Sequence, residues 1–314
     1  MHDYRYRLVD VFTEVPFQGN QLAVFPQALG LTDVLMQQIA RELNLAETTF
    51  VLPASLPGCV ADVRIFTPFK EMRFAGHPTI GTAHVLMQEK QVESTATEFT
   101  LQEKIGRVAV RVAREAGNPI WLRTPWIDWG KTYERVPCAA ALGLEPDDLL
   151  ECLPQRLSAG NPTLLIPLQS PEVVDRAWLG ADGMRSLRGS DPESFCVFVF
   201  ARTPTGAYSR MFAPEFGVPE DPATGSSTGP LAAYMMKHGL TSRADGARFI
   251  SEQGAKMGRR SLLHVHIRGD SGSIGIDVGG HVVAVGDGTI RVRLPGEPRK
   301  EEAHPLGDPD TRKS

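Results

Sequence analysis

The sequence has no long hydrophobic segment and no dense block of one charge. Hydrophobic residues make up 42% and charged residues 22% of its 314 residues, and 33 Lys and Arg stand against 37 Asp and Glu, which gives a net charge of −4. Nowhere do about 18 uncharged apolar residues run together, so we expect no membrane-spanning helix and no signal peptide. No basic cluster is dense enough to follow a phosphate backbone. We therefore expect a cytoplasmic globular protein that binds neither membrane nor nucleic acid.

Several motifs of catalysis and metal binding are also missing. The cysteines lack the close spacing of a zinc or redox motif, which predicts reduced structural thiols; they are Cys59, Cys138, Cys152 and Cys196. There is no phosphate-binding Lys-Ser/Thr loop. His264 and His266 share one face of a predicted strand, but no third ligand follows at useful spacing. We predict no metal and no cofactor.

What the chain does contain is one unusual segment, present twice. Residues 64–87 read RIFTPFKEMRFAGHPTIGTAHVLM and residues 210–235 read RMFAPEFGVPEDPATGSSTGPLAAYM. Each runs from Arg-x-Phe-x-Pro through a glycine turn into an apolar helical stretch. The segment GNQLAV at 19–24 similarly recurs as GNPTLL at 160–165. Two similar halves are predicted, whose glycine turns face each other across a cleft and bind one small anionic molecule.

Hydrophobic spacing predicts many strands and few long helices. Strands are expected at 8–12, 20–25, 45–52, 62–67, 98–102 and 107–113, and helices at 33–44, 79–88 and 231–238. The last two helices are apolar on nearly every side, so each must be wrapped by other structure. The glycines at 286 and 288 predict a hairpin near the end of the chain.

These elements predict an α+β fold of two similar lobes, each a curved, mostly antiparallel sheet around a central helix. The N-terminal lobe is expected to comprise residues 1–124, with Glu47 and the Gly76-His77 turn, and the C-terminal lobe residues 125–295, with the turn from Asp221 to Ser226. Strands near the end are expected to return to the N-terminal lobe. Residues 296–314 contain almost no apolar side chains and predict a disordered tail.

The two glycine turns are the first candidates for a binding site. Gly76 and Gly225 each open one of the apolar helices, where free amides and the positive end of the helix dipole favour an anion. A single turn of this kind is more often an ordinary helix entry. Its presence at matching places in both halves favours a functional interpretation.

Polar residues near the turns are the candidates for chemistry. Glu47 shares a strand face with apolar and hydroxyl side chains, because side chains alternate along a strand. Taken singly, Glu47, His77, Asp221 and Ser226 each have a structural explanation: a solvent-facing carboxylate, a core histidine, or turn residues. Together they fit proton transfer at carbon, which needs a shielded carboxyl group and donors that hold the charges of the substrate.

These residues resemble the PhzF-like family of phenazine-biosynthesis isomerases. The resemblance extends to about Leu294 and includes VDVFTEVPFQGNQLAVF, MQQIARELNLAETTFV, FAGHPTIGTA, DPATGSSTG and SEQGAKMGRR. It implies the diaminopimelate-epimerase-like fold with a site between the lobes, and a homodimer. It also implies that Glu47 is the catalytic acid/base, acting with His77 and Asp221.

The resemblance further implies that Gly76, Gly225, Ser226 and Asn20 bind a small substrate with carboxylate and amino groups. Ala75 and Thr224 stand where the related epimerases have paired cysteines, which disfavours racemisation by two thiols. Gln21 and Arg73 each replace a proline expected from the resemblance, and both bear on substrate choice.

The resulting hypothesis is a cofactor-independent isomerase that shifts a proton on a small cyclic amino acid of the trans-2,3-dihydro-3-hydroxyanthranilate type. One alternative is an amino-acid epimerase or another proton-transfer isomerase on the same fold. A second, of a different class, is a non-catalytic protein that binds small anions.

Overall fold

The computed structural model describes residues 1–112, 119–270 and 273–294. The predicted tail at 296–314 lies outside the described residues. The first lobe contains the following elements, in chain order: β1 (His2–Val11), β2 (Asn20–Phe25), α1 (Asp33–Leu43), β3 (Glu47–Leu52), β4 (Asp62–Phe66), β5 (Glu71–Met72), α2 (Gly76–Gln88), β6 (Glu98–Glu103), β7 (Gly106–Val112) and β8 (Ile120–Arg123).

The second lobe follows, and the last strand returns to the first lobe. The elements are β9 (Asp128–Thr132), α3 (Arg135–Ala141), β10 (Gln155–Ser158), β11 (Pro162–Leu168), α4 (Pro171–Arg176), α5 (Ala181–Arg188), β12 (Cys196–Thr203), β13 (Gly206–Ala213), β14 (Val218–Asp221), α6 (Gly225–Lys237), β15 (Arg248–Gln253), β16 (Ser261–Asp270), β17 (Ser273–Gly280) and β18 (Val282–Val292). β18 pairs antiparallel with β1 along nearly its whole length.

The two lobes pair their strands in the same way, and most pairs are antiparallel. In the first lobe β2 pairs with β3 and β4 with β6 in parallel; in the second lobe β11 pairs with β12 and β13 with β15 in parallel. An antiparallel pair of β8 with β17 joins the two sheets. The predicted architecture of two similar lobes, each with a sheet around a helix, is confirmed.

The duplicated Arg-x-Phe motif adopts the same local structure in both lobes. Arg64 bonds Glu71 and lies over the ring of Phe66, at 5.4 Å from its centroid. Arg210 bonds Glu220, with Nε 2.9 Å from Oε1, and lies 4.8 Å from the centroid of the Phe212 ring. Each arginine thereby ties the strand that carries it to the short strand that leads towards the glycine turn.

The central helices α2 and α6 are buried on almost all sides. Ten of the residues of α2, from Gly76 to Leu86, and ten of those of α6, from Ser227 to Met236, are buried. Both helices begin earlier than predicted. A helix that begins at Leu231 would exclude Pro230, which removes an intrahelical hydrogen bond. The observed α6 instead begins at Gly225 and contains Pro230.

The hairpin predicted at residues 286–288 is wrong. β18 runs straight through these residues, and its register with β1 shifts opposite Leu8 and Val9, which marks a β-bulge. A Cβ atom at Gly288 would lie 2.5 Å from the hydroxyl oxygen of Tyr6. The glycine therefore accommodates an aromatic side chain of the neighbouring strand instead of forming a turn.

Three short helices, α3, α4 and α5, were not predicted. They have 7, 6 and 8 residues, which is too short for helical periodicity to be recognised against other patterns. None of the helices in the described part of the chain has the length and apolar character needed to cross a membrane. The four cysteines are unpaired.

Candidate active site

The N-termini of α2 and α6 meet between the lobes. A Cβ atom at Gly76 would lie 3.4 Å from the Cα of Gly225 and 3.4 Å from the amide nitrogen of Ser226. The first amides of each helix have no intrahelical partner, and the two helix dipoles place their positive ends at the same point. The structure therefore brings together the two glycine turns predicted from the sequence, and their junction suits an anionic group.

Glu47 lies at the edge of this junction. It begins β3, which pairs in parallel with β2, and Thr49 two residues further on bonds Thr82 of α2 at 2.8 Å. The alternation of side chains therefore directs Glu47 towards α2 as well. Its side chain is 17% exposed, and Oε2 lies 3.4 Å from Nε2 of His77.

The surroundings of Glu47 favour its neutral form. Burial, and secondarily the negative charge of Asp221, raise the pKa of Glu47 to about 8. Both protonation states are therefore accessible near neutral pH, which is the property required of a group that both accepts and donates a proton.

His77 is held as a neutral imidazole. It follows Gly76 in the first turn of α2 and is 5% exposed. Burial lowers the pKa of His77 to about 3, against a smaller opposing effect of the Gln21 backbone. Its Nε2 has no hydrogen-bond partner among the described residues, since the 3.4 Å contact with Glu47 lacks hydrogen-bond geometry. This nitrogen is therefore a buried polar atom beside Glu47 without a protein partner in the described part of the chain.

Asp221 ends β14 and approaches Glu47 from the other lobe. Its Oδ2 accepts a hydrogen bond from Thr224 Oγ1 at 2.5 Å, and its Oδ1 accepts one from Asn20 Nδ2 at 3.0 Å. Burial raises the pKa of Asp221 to about 6, although both hydrogen bonds act in the opposite direction. At neutral pH Asp221 is mainly ionised and supplies a negative charge beside Glu47.

Asn20 connects the two lobes beneath these groups. It is 1% exposed, and its Nδ2 lies 3.0 Å from Asp221 Oδ1, 3.0 Å from the carbonyl oxygen of Ala223 and 3.4 Å from Nδ1 of His77. An amide has two hydrogens, and the two shorter contacts use them. Substrate binding by Asn20 stays a prediction; the contacts themselves hold Asp221 in place.

Ser226, the remaining predicted residue, is the second residue of α6. Its Oγ accepts a hydrogen bond from Asn161 Nδ2 at 3.2 Å. Sequence reasoning did not select Asn161 as a site residue, although the repeated Gly-Asn pair at 19–20 and 160–161 was a signal for it.

Gln253 was also missed. Its Oε1 accepts from the amide of Thr224 at 3.1 Å, and its Nε2 donates to the carbonyl oxygen of Asp221 at 2.7 Å. It belongs to the SEQGAKMGRR segment that carries part of the resemblance, but nothing local to that segment indicates contact with the turn.

Neither of two concavities formed by the described residues is lined by Glu47, His77 or Asp221. A cavity of about 20 Å³ adjoins Gly76 and Gly225 and is largely apolar. A groove of about 920 Å³ is lined by residues that include Trp121, His264 and His266. We therefore assign the site from the chemistry of its side chains and not from the size of a cavity.

Three histidines, His264, His266 and His281, line the groove, and two of them lie near the Trp121 ring. The Trp121 ring lies 6.4 Å from that of His264 and 6.0 Å from that of His266. No group of three or more metal-ligating side chains occurs within the described ranges.

The structure brings the candidate residues together between two duplicated lobes, and comparison with known proteins places the chain in a family. A family model for phenazine biosynthesis-like proteins, PhzC-PhzF, matches residues 9–288. The chain belongs to the PhzF family of phenazine biosynthesis-like proteins, and it is an isomerase.

Individual relatives agree with this assignment. An uncharacterized isomerase of Mesorhizobium japonicum is 36% identical, over 92% of this chain and 99% of the relative. The trans-2,3-dihydro-3-hydroxyanthranilate isomerase of Pseudomonas fluorescens is 33% identical, over 91% of this chain and 99% of that relative. A crystal structure of a PhzF-family phenazine biosynthesis protein of Bacillus anthracis superposes with a TM-score of 0.85 at 26% identity, over 93% of this chain and 100% of that one.

Proposed function

We propose that this protein catalyses a cofactor-independent proton shift on a small cyclic amino acid of the trans-2,3-dihydro-3-hydroxyanthranilate type, with Glu47 as acid and base. The observation that carries the proposal is the shielded Glu47 carboxyl group, 3.4 Å from neutral His77 at the junction of the two helix N-termini. The named activity of the Pseudomonas fluorescens relative supports the choice of substrate class.

In this proposal the carboxylate of Glu47 removes an allylic proton from one carbon of the substrate. The electrons of that C–H bond form a new double bond, and the existing double bond shifts so that another carbon becomes basic. Glu47, now the neutral acid, returns the proton to that carbon on the same face. The atoms balance without a coenzyme, because the proton lost by one carbon is gained by the other.

The remaining groups orient the substrate. The amides of Gly76 and Gly225 and the hydroxyl group of Ser226 would bind its carboxylate, since helix N-termini favour anions. Ionised Asp221 would attract its ammonium group, and the free Nε2 of His77 would bond a polar ring substituent.

The two departures from the family pattern bear on specificity. Arg73 is exposed and Gln21 is half-buried. Arg73 stands three residues before Gly76, and Gln21 directly follows Asn20, so each would lie at the border of the proposed site. We propose that they change which ring substituents are tolerated and leave the proton transfer itself to Glu47.

The test is solvent deuterium exchange followed by proton NMR over a panel of small cyclic amino acids that includes trans-2,3-dihydro-3-hydroxyanthranilate. An isomerase moves the double bond and incorporates deuterium at the receiving carbon to the extent that Glu47 exchanges its proton with solvent, whereas an epimerase exchanges only at the α-carbon and leaves the double bond in place. General acid/base catalysis supplies about 10²–10⁴-fold, so Glu47→Gln should lose about that factor in kcat. An unchanged kcat in this variant would refute the role of Glu47.

Glu42→Gln is the matched control, because Glu42 is an exposed glutamate of α1. Calorimetric binding of panel compounds with neither exchange at any carbon nor a moved double bond would favour a non-catalytic binding protein. The proposal also includes a homodimer, which sedimentation at several protein concentrations would test.

A further inference from the structure

A second buried glutamate lies directly behind the first turn of α2. Glu103 ends β6 and is 3% exposed. Its Oε1 lies 2.6 Å from Thr79 Oγ1, and its Oε2 has no hydrogen-bond partner among the described residues. Thr79 Oγ1 is also 2.7 Å from the carbonyl oxygen of Ala75, the residue that precedes α2. The proposed proton transfer does not use Glu103.

The number of hydrogens decides the protonation state of Glu103. The Thr79 hydroxyl group has a single hydrogen, and the Ala75 carbonyl oxygen is only an acceptor. If Glu103 were ionised, one of the two short contacts would bring lone pairs against each other. Both contacts are hydrogen bonds only if Glu103 is the neutral acid, donating to Thr79, while Thr79 donates to Ala75.

The electrostatic surroundings agree with a neutral Glu103. Burial raises the pKa of Glu103 to about 8. The hydrogen bond of Thr79 lowers this pKa, and the charge of Asp62 on the neighbouring strand β4 raises it by a smaller amount. Asp62 in turn faces Arg64 and Glu71.

The chain of hydrogen bonds ends on a peptide group of the candidate site. The Ala75 carbonyl and the Gly76 N–H belong to the same peptide, and an amide at the start of a helix has no intrahelical partner. A hydrogen bond accepted by the carbonyl polarises the peptide and strengthens its N–H as a donor, by about 10–30% per bond in a chain.

We infer that Glu103 is a positioning residue: as the neutral acid it donates through Thr79 to the carbonyl of Ala75 and thereby strengthens the Gly76 amide as a donor to the carboxylate of the substrate. The effect on the substrate rests on the proposed function, whereas the effect on the Gly76 amide does not. Ionisation of Glu103 would reverse the hydrogen bond to Thr79, weaken this amide and place a negative charge behind it.

The C-terminal lobe has a non-ionisable residue in the position of Glu103. Gln253 ends β15 as Glu103 ends β6, and Gln253 Nε2 donates to Thr224 Oγ1 at 3.0 Å. Thr228 Oγ1 donates to the carbonyl oxygen of Thr224 at 3.0 Å, as Thr79 does to that of Ala75. Thr224 Oγ1 donates in turn to Asp221, so the ionisable group of this corner is Asp221, and only the corner at Gly76 has a titrating side chain in the place of Gln253.

The first test follows the Gly76 amide by NMR in protein labelled with ¹⁵N-glycine, with the signal assigned by its loss in Gly76→Ala. The measurement uses a Glu47→Gln background, because Glu47 would otherwise titrate in the same range. We expect the Gly76 signal to shift with an inflection near pH 8 in this background. The inflection should vanish when Glu103→Gln is added and diminish when Thr79→Val is added, because valine breaks the chain of hydrogen bonds but leaves the charge of ionised Glu103 behind the amide.

An inflection that persists undiminished in both double variants, or none in the Glu47→Gln parent, would overturn the inference. If Glu103→Gln alone disturbs the fold, the glycine spectrum will show it, and Thr79→Val decides the question. This arm needs no turnover, so it is independent of the proposed function.

The second test measures KM and kcat on the substrate found by deuterium exchange. Thr79→Val should raise KM roughly two- to fivefold with little change in kcat, because a weakened amide affects binding more than proton transfer. Thr79→Ser keeps the hydroxyl group and should restore KM. Equal KM values in the valine and serine variants would contradict a role in binding while leaving the exchange result intact.

Discussion

Replacing the proposed catalyst should make the protein more stable, and by an amount that depends on pH. In the folded chain burial raises the pKa of Glu47 from 4.5 to about 8, while in the unfolded chain the group titrates at its ordinary value. Between these two pH values the unfolded state is ionised and the folded state holds the proton. The contribution of Glu47 to stability is therefore fully present below pH 4.5 and is lost as the pH rises towards 8.

Glutamine does not titrate and has nearly the same shape, so Glu47→Gln removes this loss. One pKa unit corresponds to about 1.4 kcal/mol. The variant should match the wild type near pH 4 and exceed its free energy of unfolding by about 3 kcal/mol at pH 7 and up to roughly 5 kcal/mol above pH 8. These figures are upper estimates, because the 17% exposed side chain retains some contact with water.

The assay is urea unfolding followed by circular dichroism at pH 4.5, 6, 7 and 8, with the free energy obtained by linear extrapolation. Glu42→Gln, the exposed control, should stay within about 0.5 kcal/mol of the wild type at each pH. A difference between Glu47→Gln and wild type that does not change with pH would show that Glu47 is not buried as a neutral acid. The physical basis for its catalytic role would then be lost.

Three further substitutions test the surroundings of the site. Asp221→Asn removes a negative charge that raises the pKa of Glu47, so the rise of kcat/KM with pH should move to lower pH; an unshifted profile would show that the two carboxyl groups do not interact. Gly76→Ala places a methyl group between the two helix termini, 3.4 Å from the backbone of Gly225, where it should obstruct the proposed carboxylate site and raise KM by roughly 10–100-fold, the loss of one charge-assisted hydrogen bond; steady-state kinetics with folding checked by circular dichroism will measure it. Asn20→Ala removes the donor of two buried hydrogen bonds and should lower the free energy of unfolding by about 2–3 kcal/mol, as measured by urea unfolding; a smaller loss would mean that the amide does not connect the lobes.

Local patterns in the sequence were sufficient for the architecture. The duplicated segments predicted two similar lobes, and the Arg64 and Arg210 motifs indeed have matching contacts. The absence of a polar face on α2 and α6 predicted their burial. Period-two alternation placed Glu47 on the same strand face as Thr49, and in the structure this face meets α2. These features depend on residues close together in the chain, which is why they can be read from it.

Other features depend on residues that are far apart in the sequence. The glycines of β18 suggested a turn, but they lie within a continuous strand, where Gly288 leaves room for the ring of Tyr6 on the neighbouring strand. Asn20 contacts Asp221, which lies 201 residues further along the chain. Gln253 of β15 bonds Thr224 in the glycine turn before α6. No spacing rule within one segment reveals such pairs.

The sequence by itself therefore determined the two lobes, their buried helices and the identity of the glycine turns and of Glu47, since periodicity and duplication are local properties. Only the tertiary structure decided that Glu47, His77 and Asp221 meet, that Glu103 stands behind Gly76, and how far the pKa of each carboxyl group is raised. The reason is physical: a pKa depends on the water excluded and the charges brought near by distant parts of the chain, and these exist only once the lobes have packed together.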